Sequence, residues 1–325
     1  MDQLEHIRKP IEAEFEEFVT LFNQALSHSD ALLENTLDHI KKRGGKRMRP
    51  ILTLLLAKNY GDVSMTTQNA AIGLELLHTA SLVHDDVVDE SAERRGQASL
   101  NASYNNKVAV LVGDFILSTS LLHVSFTHDN RIVQNLSKLG QTLAAGEILQ
   151  LENVQNFNFS EDVYYQVIRK KTASLFEACA RLGAMSAGAT DEQIDRAGRF
   201  GDNLGMMFQI RDDIFDYFDS IEIGKPTGND MAEGKLTLPV LYALRTMPLD
   251  SMTTLAKKVK MGTVNHDEIA VLVEYTKQAG GIEYAERRMH DFYNEAKAFI
   301  DENVKKDEIS RALTAYLDYV MQRSY

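Results

Sequence analysis

The run His84-Asp85-Asp86-Val87-Val88-Asp89-Glu90, followed by Arg94-Arg95-Gly96, places carboxylates beside paired guanidiniums at the end of an apolar stretch. On a helix Asp85 and Asp89 share a face, and Asp86 lies about 100° round from Asp85. Crowded carboxylates repel and take up protons unless a cation sits among them. Hard oxygen ligands around a gap suit magnesium, which keeps waters and binds through a substrate's phosphates. A solvated acidic helix end is the plain alternative, since Asp and Glu are mostly exposed. The same i, i+1, i+4 spacing recurs at Asp212-Asp213-Ile214-Phe215-Asp216, again in an apolar run. Facing each other across a helical cavity, the two clusters would clamp several magnesium ions on one diphosphate.

Basic and glycine-rich segments accompany these clusters. Gly44-Gly45 breaks a helix and admits close backbone approach, and Lys46-Arg47-Met48-Arg49-Pro50 follows it. That basic run also fits a localisation signal or a nucleic-acid patch, but a formal net charge of −12 argues against general nucleic-acid binding. Gly224-Lys225-Pro226-Thr227-Gly228-Asn229-Asp230 and Glu233-Gly234-Lys235 place two lysines in a glycine-rich segment, which reads as a lid for phosphate oxygens or as an ordinary surface loop. His78 lies seven residues before Asp85, two turns away on the same side, and either lines the same cavity or is a satisfied core histidine.

The elements that must carry these residues read as helices. Phe15, Phe18, Val19, Phe22 and Leu26 recur at helical spacing, and a second helix is expected from about Asp30 to Lys42. The central helix is expected from roughly Thr67 to Glu90, with further helices from Asn106 to about Phe126 and from Ile132 to Glu152. Ser160 is the expected N-cap of the helix carrying Lys170-Lys171-Thr172. Thr190 and Gln193 form the expected capping box of the helix carrying the second aspartate cluster. No period-two strand segment is visible, so the expected fold is all-α.

With no Pro/Ser-rich linker or low-complexity tract, residues 1–325 are expected to form one domain. A single cysteine, Cys179, excludes an internal disulfide framework and a cysteine-based zinc site, and it fits a reducing cytoplasm. The first residues lack the basic and apolar regions of a signal peptide, and the most apolar run, Val108 to Leu117, is interrupted by Asp114. The expectation is a soluble, cytoplasmic protein.

Taken together, Gly44-Gly45-Lys46 through Arg49-Pro50, the His78 helix, Asp85-Asp86-Val87-Val88-Asp89 with Arg94-Arg95-Gly96, Lys171-Thr172, Phe208-Gln209 with the second aspartate cluster, and the Gly224-to-Pro239 loop resemble the trans-type polyprenyl diphosphate synthases. The resemblance spans about residues 40 to 245, and several motifs in the right order make it specific. It implies one large bundle of about ten or more helices around a central cavity. It also implies that Asp85, Asp86, Asp89, Asp212 and Asp216 bind magnesium, with Asp213 supporting the second cluster. Arg94, Lys171, Gln209, Lys225 and Lys235 would hold an allylic diphosphate, with Thr172 beside Lys171. Lys46, Arg49, His78 and Arg95 would hold isopentenyl diphosphate. The two residues inside the first motif, Val87-Val88, match the spacing of the family's bacterial long-chain members.

Ala80 and Ser81, about one turn before Asp85, face the path of a growing tail, because helical side chains lean toward the N-terminus. Both are small, which predicts a product longer than geranylgeranyl, of the length used for quinone side chains; simple helix packing also explains small residues there. Candidate floors are Leu76, Leu77, Phe115, Leu121 and Leu122. A geranylgeranyl or farnesyl diphosphate synthase, a terpene cyclase, a phosphohydrolase built on the His84-Asp85 doublet and a non-catalytic synthase subunit are the competing readings. Lys46, Arg49 and Arg95 oppose the cyclase, and two intact aspartate clusters oppose the subunit. A homodimer is expected from family habit and closed symmetry, with transient membrane contact through the product.

Overall fold

Helical periodicity without strand alternation yields helices along almost the whole chain. The computed structural model describes residues 3–42, 45–94, 96–155, 157, 159–218 and 227–322. The helices are α1 (Gln3–Arg8), α2 (Glu12–Ala25), α3 (Ala31–Lys42), α4 (Met48–Tyr60), α5 (Met65–Val88), α6 (Leu100–Ser103), α7 (Asn106–Ser125), α8 (Asn130–Gln155) and α9 (Glu161–Ile168). They continue with α10 (Ser174–Ser186), α11 (Asp191–Phe215), α12 (Asn229–Ala232), α13 (Leu238–Thr246), α14 (Asp250–Lys260), α15 (His266–Gln278), α16 (Gly281–Asn303) and α17 (Asp307–Gln322). The fold is all-α. Its one departure among the described residues is a two-residue antiparallel pair, β1 (Glu93–Arg94) with β2 (Gln97–Ala98), too short to show as alternation in the sequence.

Local signals set the ends. Ser64 and Thr67 exchange backbone and side-chain hydrogen bonds, so α5 begins two residues before the expected Thr67. It stops at Val88, with Glu90 in the left-handed region (φ 51°). The Thr190–Gln193 box and the Ser160 cap form as expected. A π-turn at Arg169–Ala173, which the sequence does not announce, joins α9 to α10.

The chain divides into two compact units, each assembled from separate stretches. The first comprises residues 1–140, 175–201 and 300–315. At its centre α5 lies antiparallel to α7: Gly73 faces Ser120 and Val124, and Gly113 faces the His84 ring. The Ser120 hydroxyl donates to the Gly73 carbonyl at 2.7 Å. Leu74, Leu76, Leu77 and Ala80 of α5 and Val112 and Ile116 of α7 are buried. The opposite face of α7 leaves Val110, Leu111, Leu121 and Leu122 exposed. α7 is also the one described helix long and apolar enough to cross a membrane by length and composition.

The second unit comprises residues 141–174, 202–299 and 316–325. Gly281 opens α16 against the Pro239 carbonyl, and the Tyr275 hydroxyl donates to the Ala243 and Met247 carbonyls at 2.8 and 2.6 Å. The Met247 backbone amide also donates to the Ala243 carbonyl, so the end of α13 is closed by both backbone and side chain.

Candidate active site

In the first unit the aspartates sit at the C-terminal end of α5. Asp86 is 1% exposed, and its Oδ1 accepts from Arg94 Nε at 2.6 Å. The β1–β2 hairpin returns Arg94 to this position. Its base is tied down by Asn101 Nδ2 donating to the Asp86 and Ser91 carbonyls and by the Ser99 hydroxyl donating to Ser91. Asp85 is half-buried and Asp89 exposed. His84 turns toward α7, with Nε2 3.4 Å from Asp114 Oδ1.

Upstream in the same unit, Lys46 is exposed, Arg49 lies over the Phe176 ring at 5.0 Å, and His78 is half-buried. Arg47, left-handed at φ 48°, lies over Phe22 at 5.2 Å; burial lowers its guanidinium pKa while Glu75 acts the other way. Ala80 is buried and Ser81 half-buried, its hydroxyl donating to the His78 carbonyl. Phe115 packs edge-on against His28 at 5.6 Å. Leu121 and Leu122, named as candidate floors, are instead 46% and 52% exposed, because their positions fall on the face of α7 turned from α5.

In the second unit α8, α9, the π-turn, α11 and the Gly228–Thr237 segment surround a cavity of about 250 Å3. The π-turn lies directly on Gly146, where a Cβ would meet Lys170 Cβ at 2.8 Å and Lys171 Cγ at 3.0 Å. Lys171 is thereby delivered to Glu147, its salt-bridge partner, and to Gln150 Oε1 at 3.0 Å. The Thr172 hydroxyl donates to Gln209 Oε1 at 2.7 Å, and Gln209 Nε2 donates to Asp213 Oδ1 at 2.8 Å. The buried Tyr164 hydroxyl closes the chain on Asp213 Oδ2 at 2.6 Å.

Burial pushes the Asp213 carboxyl up to about 7 against the Tyr164 and Gln209 hydrogen bonds. Asp216 receives the backbone amides of Asn229 and Asp230 at 2.9 and 3.1 Å, which fastens the lysine segment to the end of α11. Burial, and then Asp213 and Asp216, hold Asp230 well above the usual carboxylate range. Lys235 pairs with Glu233 at 2.6 Å. Gly44, Arg95 and Lys225 lie outside the described residues.

Among the described residues no three His, Cys, Asp or Glu side chains converge as a ready-made metal cage. The donor set still fits magnesium, which takes one or two carboxylates and completes its shell from waters and phosphates. Asp89, exposed at the end of α5, is accessible to such an ion.

Residues 30–276 match the family model described as Polyprenyl synthetase. The chain belongs to the polyprenyl synthetase family. A relative 36% identical over 83% of this chain and 84% of its own length is the octaprenyl diphosphate synthase of Escherichia coli. Among solved structures, the geranylgeranyl pyrophosphate synthase from Bacteroides thetaiotaomicron is 51% identical with a TM-score of 0.87, covering 99% of this chain and 100% of that one. A polyprenyl synthase from Caulobacter crescentus, complexed with calcium and isoprenyl diphosphate, is 29% identical with a TM-score of 0.91, covering 98% of each chain. As a member of this family the chain is a trans-type prenyltransferase with the isoprenoid synthase fold.

In this synthase Lys171, Thr172, Gln209, Asp213 and Lys235 line one cavity. The sequence reading missed Glu147, Gln150, Tyr164, Asp230 and Lys260. Glu147 and Gln150 carry a weak signal in their i, i+3 spacing on α8 behind Gly146, and Asp230 sits in the glycine-rich segment. Tyr164 and Lys260 carry none, being one aromatic and one lysine on amphipathic helices.

Proposed function

We propose that this prenyltransferase is magnesium-dependent and condenses isopentenyl diphosphate with an allylic diphosphate into a long-chain all-trans polyprenyl diphosphate destined for a quinone side chain. The chain acts as one cytoplasmic synthase domain. Asp85, Asp86, Asp89, Asp212 and Asp216 hold the magnesium ions, whose charge when bound stabilises the departing diphosphate. The metal and isoprenyl ligand of the Caulobacter relative support this assignment.

Breaking the allylic C–O bond leaves positive charge on carbon and negative charge on the leaving group. Cationic side chains held against the diphosphate therefore stabilise the transition state more than the ground state. Arg94, Lys171 and Lys235, with Lys225, take that role, and Gln209 and Thr172 orient the oxygens. Lys171 and Lys235 start in pairs with Glu147 and Glu233, so the arriving anion exchanges those contacts. Lys46, Arg49, His78 and Arg95 hold the isopentenyl diphosphate, which must keep its own leaving group. Its double bond supplies the electron pair of the new C–C bond, and the proton lost from the adjacent carbon passes to the released diphosphate.

Chain length rests on one observation: the positions before Asp85 on α5 are the buried Ala80 and the half-buried Ser81, with no aromatic to stop a tail. The octaprenyl relative supports a long product. The geranylgeranyl name of the 51% identical structure favours the second reading, a product of four isoprene units. The exposed apolar face of α7 supports a homodimer. The finished lipid tail would give transient membrane contact.

Incubation with magnesium, farnesyl diphosphate and labelled isopentenyl diphosphate, followed by dephosphorylation and chain-length analysis, decides between them. A ladder running well past geranylgeranyl is the expected result. A stop at geranylgeranyl keeps the chemistry and removes the long-chain assignment; no condensation by folded protein points to a non-catalytic subunit.

A further inference from the structure

Lys260 is the last residue of α14 and is only 6% exposed, whereas lysine is almost never fully buried without a reason. Its ammonium donates to the Asn153 carbonyl at 2.7 Å and to Asn153 Oδ1 at 3.2 Å, and it lies over the Phe159 ring at 5.6 Å. It lines the same cavity as Lys171 and Lys235. The segment carrying Lys235 rests on the same spot: a Cβ at Gly234, which sits at φ +82°, would come within 3.4 Å of the Val259 carbonyl and 3.7 Å of Val154 Cγ1. The end of α14, the end of α8 and the lysine segment therefore meet at one wall of the cavity.

A structural clamp accounts for part of this. Asn153 lies in the last turn of α8, where carbonyls lack intrahelical partners and a donor is welcome. An uncharged donor would serve that purpose. Burying the charge has a cost, and burial pushes the Lys260 ammonium down to about 8. A cation kept at that cost gains most from an anion brought into the cavity, where low dielectric strengthens the attraction.

We propose that Lys260 is a third lysine of the diphosphate-holding cavity, binding the diphosphate that leaves the allylic carbon. This rests on the reading of the cavity given above. It adds a residue that lies in none of the sequence motifs.

The test uses the full chain and four proteins: wild type, Lys260→Gln, Lys260→Arg and Lys171→Gln. Gln keeps a donor for the Asn153 carbonyl but drops the charge; Arg keeps the charge. Inorganic diphosphate is titrated calorimetrically in the presence of magnesium, and kcat and KM are measured for farnesyl and isopentenyl diphosphates. Lys260→Gln is expected to weaken inorganic diphosphate by about ten-fold and to lower kcat, in line with the loss of one charge-assisted hydrogen bond. Lys260→Arg should recover most of that loss, and KM for isopentenyl diphosphate should stay unchanged. Diphosphate binding and kcat within two-fold of wild type in Lys260→Gln, while Lys171→Gln is impaired, would overturn the role of Lys260 and leave the cavity assignment standing. Wild-type protein that neither binds diphosphate nor condenses substrates would overturn the cavity assignment itself.

Discussion

The two aspartate clusters share one spacing and are held in different ways. At the end of α5 the buried member, Asp86, is matched by a cation, Arg94, carried back by a hairpin. In α11 the buried member, Asp213, is 3% exposed and is matched by neutral donors, Tyr164 and Gln209. Burial among neutral donors favours the protonated form of Asp213. The last member differs too: Asp89 is open to solvent, while Asp216 is spent on two backbone amides of the lysine segment. Identical i, i+1, i+4 patterns thus sit in differently satisfied surroundings, one beside a guanidinium and an exposed carboxylate, the other among neutral donors and backbone amides.

The comparison is tested hardest by removing an outer ligand from each side. Asp85→Ala and Asp212→Ala should each lower kcat/KM by about 10^3-fold or more, the scale of losing a principal electrostatic contact to the leaving group. Steady-state kinetics at saturating magnesium would show it, and a silent variant on either side would mean that cluster is not catalytic.

Ala80→Phe should act on length rather than rate. The longest product should shorten toward farnesyl or geranylgeranyl with the condensation rate kept within about an order of magnitude, since a ring added to a small buried site blocks space and costs packing. Chain-length analysis reads this directly, and an unchanged ladder would place the tail elsewhere.

The partners of the buried aspartates should differ in stability. Arg94→Gln removes the cation from a buried carboxylate and should destabilise by about 2–3 kcal/mol, whereas Tyr164→Phe removes one neutral donor and should destabilise by about 1–2 kcal/mol. Urea denaturation of both variants measures the difference, and equal losses would erase the distinction drawn here.

The smallest effect is in pH. Asp213 binds its proton more tightly folded, near 7, than unfolded, near the ordinary carboxyl value of 3.8, so its contribution is fully present below about 4 and is lost as pH rises to about 7. Without magnesium, wild-type stability should fall relative to Asp213→Asn between those limits and run parallel above them. Parallel curves throughout would show that Asp213 is ionised across the range.

Much of this was legible beforehand. The capping residues Ser160 and Thr190 sit where local hydrogen-bond chemistry placed them, because a cap is decided within four residues of chain. The aspartate spacings were legible within a few residues of chain, whereas Lys171, Thr172 and Gln209 were singled out through the family resemblance. Leu121 and Leu122 were misplaced because apolar residues on a helix look alike whether they face a neighbour or the outside. The partnership of Arg94 with Asp86 is not visible in the sequence either, since it depends on the hairpin that carries Arg94 back to the end of α5.

The sequence by itself determined the all-α class and the family, because these follow from local periodicity and from residue types at short spacings. Tertiary structure alone decided the partners: Tyr164 on Asp213, Glu147 on Lys171, Asp216 on the lysine segment and Lys260 at the wall of the cavity. The reason is physical. Desolvation, close approach at Gly146 and the pairing of a buried charge depend on which distant segments meet, and no window of neighbouring residues contains that information.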